Sequence, residues 1–187
     1  MGKKNSVGII KGVVVSAIGI ALYGFGGMLA IPVFANTTLK PAMAILALFG
    51  AMYGPFIGFV VGFVGHILTD AFSGWGVWVT WALGSGLVGA GIGCYGYLTK
   101  HSLENGIFGV KEFGILTALA FVSNFVGYMI SAILDFLFMG EPLNKVVTQQ
   151  LIVALSNTVI IAVIGSLLLL LIARRNSAGK NLEEENL

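Results

Sequence analysis

The chain has 187 residues, 57% of them hydrophobic and 10% charged, with a mean hydropathy of +0.97 and a formal charge of +2. A water-soluble domain carries roughly 25% charged residues, so this chain cannot cover itself in water and reads as an integral membrane protein. Long unbroken apolar runs argue against a β-barrel, whose strands alternate apolar and polar residues, and the single Cys94 excludes an internal disulfide and a cysteine metal cluster.

At roughly 20 residues per span, the length predicts one all-α bundle of six transmembrane helices. A short basic head over 1–6 leads into segment one, 7–30, which stops before Pro32. There Gly12, Ser16, Gly19, Gly26 and Ala30 share a face with Tyr23, and Ala17 with Ala21 forms a small pair on a neighbouring face. Small residues four apart let helix backbones approach closely in lipid. Val33-Phe34-Ala35 has the form of a signal-peptide cleavage site, but the apolar run before it is too long for the hydrophobic region of such a peptide. The loop 31–40 carries Asn36, Thr37 and Thr38, and the short, alanine-rich segment two covers 41–52.

Tyr53-Gly54-Pro55 reads as a tight turn. Segment three, 54–70, brings Gly58, Gly62, Gly65, His66, Thr69 and Asp70 onto one helical face, which turns polar toward Asp70. A loop over 71–77 precedes the glycine-rich segment four, 78–98. The polar loop 99–112, segment five over 113–138, the loop 139–144 and segment six over 145–173 follow. The bundle is predicted to occupy 1–175 and a polar, mobile tail 176–187, with the polar character starting at Arg174. The last residues, Glu184-Glu185-Asn186-Leu187, resemble the start of an engineered protease-site linker.

With six spans, Lys3, Lys4, Lys11, Lys100, Lys111, Arg174, Arg175 and Lys180 fall on one side and only Lys40 and Lys145 on the other. Cytoplasmic loops carry the excess of Lys and Arg, so both termini are expected in the cytoplasm. The loops 31–40, 71–77 and 139–144 then face outward.

Polar groups within a membrane are costly and mark function. Segment five carries Asn124, Tyr128, Ser131 and Asp135 as one stripe; segment six adds Gln149, Gln150, Ser156 and Asn157; segment three adds His66 and Asp70; segment four adds Trp78, Trp81 and Ser85. All reach the outer side and could line an outward cavity with its floor near Asn124 and Asn157. Structural readings stand beside this one. The two asparagines could hydrogen-bond across helices, Trp75, Trp78 and Trp81 could form an interfacial belt, and His66 with Asp70 could pair along one helix.

No phosphate-binding loop of the G-x-x-x-x-G-K-[ST] type is present. His66 and His101 have no third ligand at metal spacing. Gly84-Ser85-Gly86 lacks the outer glycines of a nucleophile elbow, so a Ser85–His66 hydrolase has little support. Mid-membrane carboxylates of the kind proton-coupled carriers use are missing. The reading is a binding protein without catalytic residues, metal or cofactor, in need of a partner to drive transport. A self-sufficient carrier is the alternative.

At these residues the sequence resembles the S components of energy-coupling factor (ECF) transporters, nearest to a cobalamin-linked branch that includes methionine-related solutes. The resemblance rests on Ile31-Pro32 with Asn36-Thr37, Leu46-Ala47-Leu48-Phe49, Gly54-Pro55 with Gly65-His66 and Asp70, Trp78 with Trp81, Glu141-Pro142 with Asn144-Lys145, and Ser156-Asn157. It implies a multi-pass subunit of a prokaryotic plasma membrane that takes a vitamin, cobalamin first, from outside. Asn36, Thr37, Asp70, Trp78, Trp81, Tyr128, Asp135 and Gln149 would contact the solute. It further implies a membrane scaffold and two ATPase subunits as partners, with ATP used by those partners and no nucleic acid involved. Ala17 and Ala21 match the pair that contacts the scaffold. Many relatives carry an Arg near Gly27; its absence here is expected to leave room for a different or larger solute.

Overall fold

The computed structural model describes residues 2–34, 37–74 and 76–185. Helix α1 runs Gly2–Gly26. A hairpin of β1 (Ile31–Phe34) and β2 (Thr37–Leu39) follows, then α2 (Met43–Tyr53) and α3 (Pro55–Ser73). Next come α4 (Val79–Gly93), the four-residue α5 (Tyr95–Leu98) and α6 (Val110–Phe138). The last leg is α7 (Leu143–Ile160), a π-turn over Ile161–Gly165 and α8 (Ser166–Glu185), which succeed one another without a break.

Glycine sets the closest crossing, as the small face of segment three predicts. A Cβ placed on Gly58 would fall into the carbonyl of Gly89, and one on Gly62 into that of Ser85. The contacts climb α3 as they descend α4, so these two helices lie antiparallel with backbones touching. Gly19 faces Val61 and Gly24 faces Leu68, so α1 runs parallel to α3. Direction alternates only when the short α2 and α4 are counted: α1, α3 and α6 run one way and α2 and α4 the other, and the ends near Asp70, Asp135 and Lys145 meet at one pole. The loop 99–109 sits at the other pole, where Asn176 Nδ2 donates to the Leu103 carbonyl at 2.8 Å.

Six uniform spans are not what the fold contains. Four helices are long and apolar enough to cross a bilayer by themselves: Gly8–Gly26, Pro55–Ser73, Val110–Phe138 and Leu143–Gly179. α2 has 11 residues and α4 has 15; at 1.5 Å per residue they rise about 16 and 22 Å, short of a ~30 Å hydrocarbon core. Both pack most of their surface against neighbouring helices instead. α2 buries Met43, Ala44, Leu46, Ala47, Phe49, Gly50 and Ala51 and leaves one half-buried stripe of Ile45, Leu48 and Met52. Gly54, at φ 90°, ends it and Pro55 starts α3.

Other boundaries also move. Segment one ends at Gly26 rather than Ala30, because the chain turns into the hairpin, a short exception to an otherwise helical fold. The helix expected over 78–98 breaks at Cys94 into α4 and α5. The tail expected to be mobile from Arg174 continues as α8 to Glu185. The apolar stretch Leu143–Gly179 has 37 residues, about 55 Å of helix, so its far end overshoots any ~30 Å core.

Candidate functional site

At the pole where α3 ends, a cavity of about 430 Å³ opens between the helices. Thr38 and Lys40 border it from the hairpin and its exit, Met43 from α2, His66 and Asp70 from α3, and Trp78 and Trp81 from the start of α4. Tyr128 and Asp135 come from α6, and Glu141, Lys145, Gln149 and Asn157 from α7 and the turn before it. The helical spacing places Tyr128 and Asp135 two turns apart on one face, so both look into the same space at different depths.

Its wall is fixed by buried hydrogen bonds. Asp135 accepts from Trp81 Nε1 at 2.8 Å and from the Thr80 hydroxyl. The indole is thereby held with its edge toward Tyr128, the ring centroids 6.2 Å apart. Asp70 accepts from the Trp78 backbone N–H at 3.1 Å and lies 3.6 Å from His66 Nε2. One carboxylate thus pins the first residues of α4 to the end of α3, and the other pins the same helix start to α6.

Below the cavity, Ser85 is a hub. His66 Nδ1 lies 2.6 Å from its Oγ, the Tyr128 hydroxyl 3.0 Å and the Tyr23 hydroxyl 3.3 Å. Tyr128 also hydrogen-bonds Asn157. One consistent proton arrangement has His66 Nε2–H facing Asp70 and the Ser85 hydroxyl donating to His66 Nδ1. The two tyrosine hydroxyls then donate to Ser85 Oγ. Asp70, His66 and Ser85 have the order of a nucleophile triad, but the two tyrosines occupy the lone pairs a nucleophile would need. Ser85 is 0% exposed. The cluster joins α1, α3, α4, α6 and α7, and its work is structural. Ser85→Ala should strand several buried polar groups, at ~1–3 kcal/mol each, and a thermal melt in detergent should show the drop; an unchanged midpoint would dissolve the hub.

Of the residues marked as solute contacts from sequence, Asp70, Trp78, Trp81, Tyr128, Asp135 and Gln149 border this cavity. Asn36 lies outside the described residues; Thr37 belongs to β2 beside the cavity's Thr38. Trp75 also lies outside the described residues. Ala17 is exposed and Ala21 half-buried on α1. Asn157 borders the cavity floor, whereas Asn124 does not: its Nδ2 donates to the Ala120 carbonyl of its own helix at 2.8 Å. The Gly27 expectation also changes. Gly27 is buried where a side chain would strike Thr69, away from the cavity, so its small size serves packing.

Sequence reasoning missed Lys40, Met43, Glu141 and Lys145 as lining residues. The two lysines did carry a signal, as the only basic residues assigned to the outer side. Among the described residues, no group of three His, Cys, Asp or Glu could hold a metal ion.

Residues 8–174 match the family described as ECF-type riboflavin transporter, S component. The chain belongs to the S-component family of ECF transporters. It is similar to a UPF0397 protein of Aliivibrio salmonicida, 56% identical over 93% of this chain and 96% of the relative. UPF0397 proteins of Vibrio atlanticus and Photobacterium profundum are each 54% identical over 93% of this chain and cover 97% and 96% of those relatives. No solved structure matches. An S component is a substrate-specific membrane subunit and not an enzyme, and its family works with a membrane scaffold and ATPase subunits.

Proposed function

We propose that this S component captures a water-soluble vitamin from the external medium in the cavity beneath the hairpin and hands it to a scaffold driven by two ATPases. The chain itself holds no cofactor; ATP belongs to the partners. The observation that carries the reading is a cavity lined by polar and aromatic side chains from six parts of the fold and open at one pole. A pore would need a second opening, and an enzyme a free nucleophile. Asp70, Trp78, Trp81, Tyr128, Asp135 and Gln149 are the proposed solute contacts, together with Thr37 of β2 and with Asn36, which lies outside the described residues.

The proposed orientation has six crossings, two of them by the short helices α2 and α4, and both termini in the cytoplasm. The charge pattern supports it: Lys40 and Lys145 border the cavity, while Lys11, Lys100, Lys111, Arg174 and Arg175 lie along the legs that lead to the opposite pole.

For the solute, the cavity of about 430 Å³ sits toward the small end of the ~300–1,000 Å³ typical of ligand pockets. A flat heteroaromatic vitamin the size of riboflavin, the solute in the family's name, suits such a volume, laid beside the aromatic wall where Trp81 meets Tyr128 edge to face. Cobalamin, to which the sequence resemblance points, is far larger. It is favoured only by the open mouth of the cavity. Titrating the purified chain with riboflavin, cyanocobalamin and methionine tests the reading; failure to bind any vitamin would refute it. Uptake into liposomes by the chain alone would instead establish a self-sufficient carrier.

The docking surface is proposed at Ala17 and Ala21. Ala17→Trp should stop uptake by the assembled transporter while solute affinity stays within about twofold, since Ala17 is exposed and away from the cavity. Parallel loss of binding would show that α1 shapes the site instead.

A further inference from the structure

Three carboxylates and two ammonium groups border the cavity: Asp70, Asp135 and Glu141 against Lys40 and Lys145. Each carboxylate already receives a donor from the protein. Asp70 takes the Trp78 N–H, Asp135 the Thr80 hydroxyl and Trp81 indole, and Glu141 the Lys145 ammonium at 2.6 Å. Lys40 is different. It stands on the cavity wall with no hydrogen-bond acceptor among the described residues. The neighbouring charge it feels is Asp70, and burial pushes its ammonium below the usual lysine range, with Asp70 acting in the opposite sense.

Resting on the vitamin-capture reading, we infer that Lys40 is the specificity-determining donor of the cavity, recognising a carbonyl oxygen on an uncharged, amide- or imide-bearing solute. A half-buried ammonium with unspent N–H groups gains most from a solute acceptor that replaces water. The acceptor carries no full charge, because the surrounding carboxylates outnumber the cations; a phosphate or carboxylate would meet repulsion from Asp70, Asp135 and Glu141 at close range. The aromatic wall of Trp78, Trp81 and Tyr128 holds the flat part of the same molecule. The site would therefore accept a vitamin and reject its phosphorylated form.

The test uses the full chain, purified, with riboflavin, riboflavin 5′-phosphate and cyanocobalamin as probes in calorimetric titration. Lys40→Met should weaken binding of whichever uncharged vitamin the unaltered chain takes by about 10-fold or more, the scale of a charge-assisted hydrogen bond. Lys40→Arg should retain more of the affinity than Lys40→Met, because it restores the cation. If Lys40→Met aggregates, Lys40→Gln serves the same comparison. Riboflavin 5′-phosphate should bind more weakly than riboflavin, and the deficit should shrink as salt is raised. Unchanged affinity in Lys40→Met and Lys40→Gln, or tighter binding of the phosphorylated probe, would overturn the role of Lys40 and leave vitamin capture standing. No binding of either vitamin to the unaltered chain would overturn both.

Discussion

Gly58→Leu should leave little folded protein. The α3–α4 crossing has no room for a side chain, since even a Cβ at Gly58 would overlap the carbonyl carbon and oxygen of Gly89. Overpacking a core costs ~1–3 kcal/mol when flexible side chains can yield. Here the obstacle is backbone inside a helix, so the helices must part, and the cost should pass the upper end of that range. Separation would also pull Gly62 from Ser85 and break the hub beneath the cavity. The measurement is the yield of monodisperse protein in detergent and its melting midpoint. Gly114→Leu is the control: its Cβ would meet nothing within 4 Å, so the same change there should be nearly silent. Equal behaviour of the two variants would show that the close crossing is not what holds the bundle.

Asp135→Ala should cost more solute affinity than any other single change in the upper wall. It removes the acceptor for both the Thr80 hydroxyl and Trp81 Nε1. Hydrogen bonds to a charged group contribute ~1.5–3 kcal/mol each, and here they orient an indole that forms the wall. With the ring released, binding should fall about 10- to 100-fold. Asp135→Asn should fall less, because its amide oxygen still accepts from the indole. Titration calorimetry on both variants, with folding checked by size-exclusion chromatography, reads the ratio. If Asp135→Ala binds as well as the unaltered chain, the aspartate anchors helices and plays no part in recognition.

Much of the site was legible because helical periodicity is local. Tyr128 and Asp135 fall on one stripe of α6 at sight of the sequence, and His66 with Asp70 on one face of α3. Charge counting put Lys40 and Lys145 at the same pole. What spacing along a helix cannot give is the partner on another helix. Asn124 sits on the same stripe as Tyr128, yet it bonds its own helix. Ser85 looked like one small residue among many in segment four; its importance depends on Tyr23, His66 and Tyr128, up to 62 positions away in the chain.

From the sequence alone came the class of molecule: apolar runs that only lipid can solvate, a positive pole, and polar residues gathered toward the other. Those follow from hydrophobicity and from the fixed rotation per residue of a helix. Tertiary structure alone decided that α2 and α4 are short and largely packed against their neighbours, that a β-hairpin borders the cavity, and that Lys40 stands on its wall with no hydrogen-bond acceptor among the described residues. Each of these depends on which surfaces meet, and that is settled by packing between segments distant in the chain, which no single segment encodes.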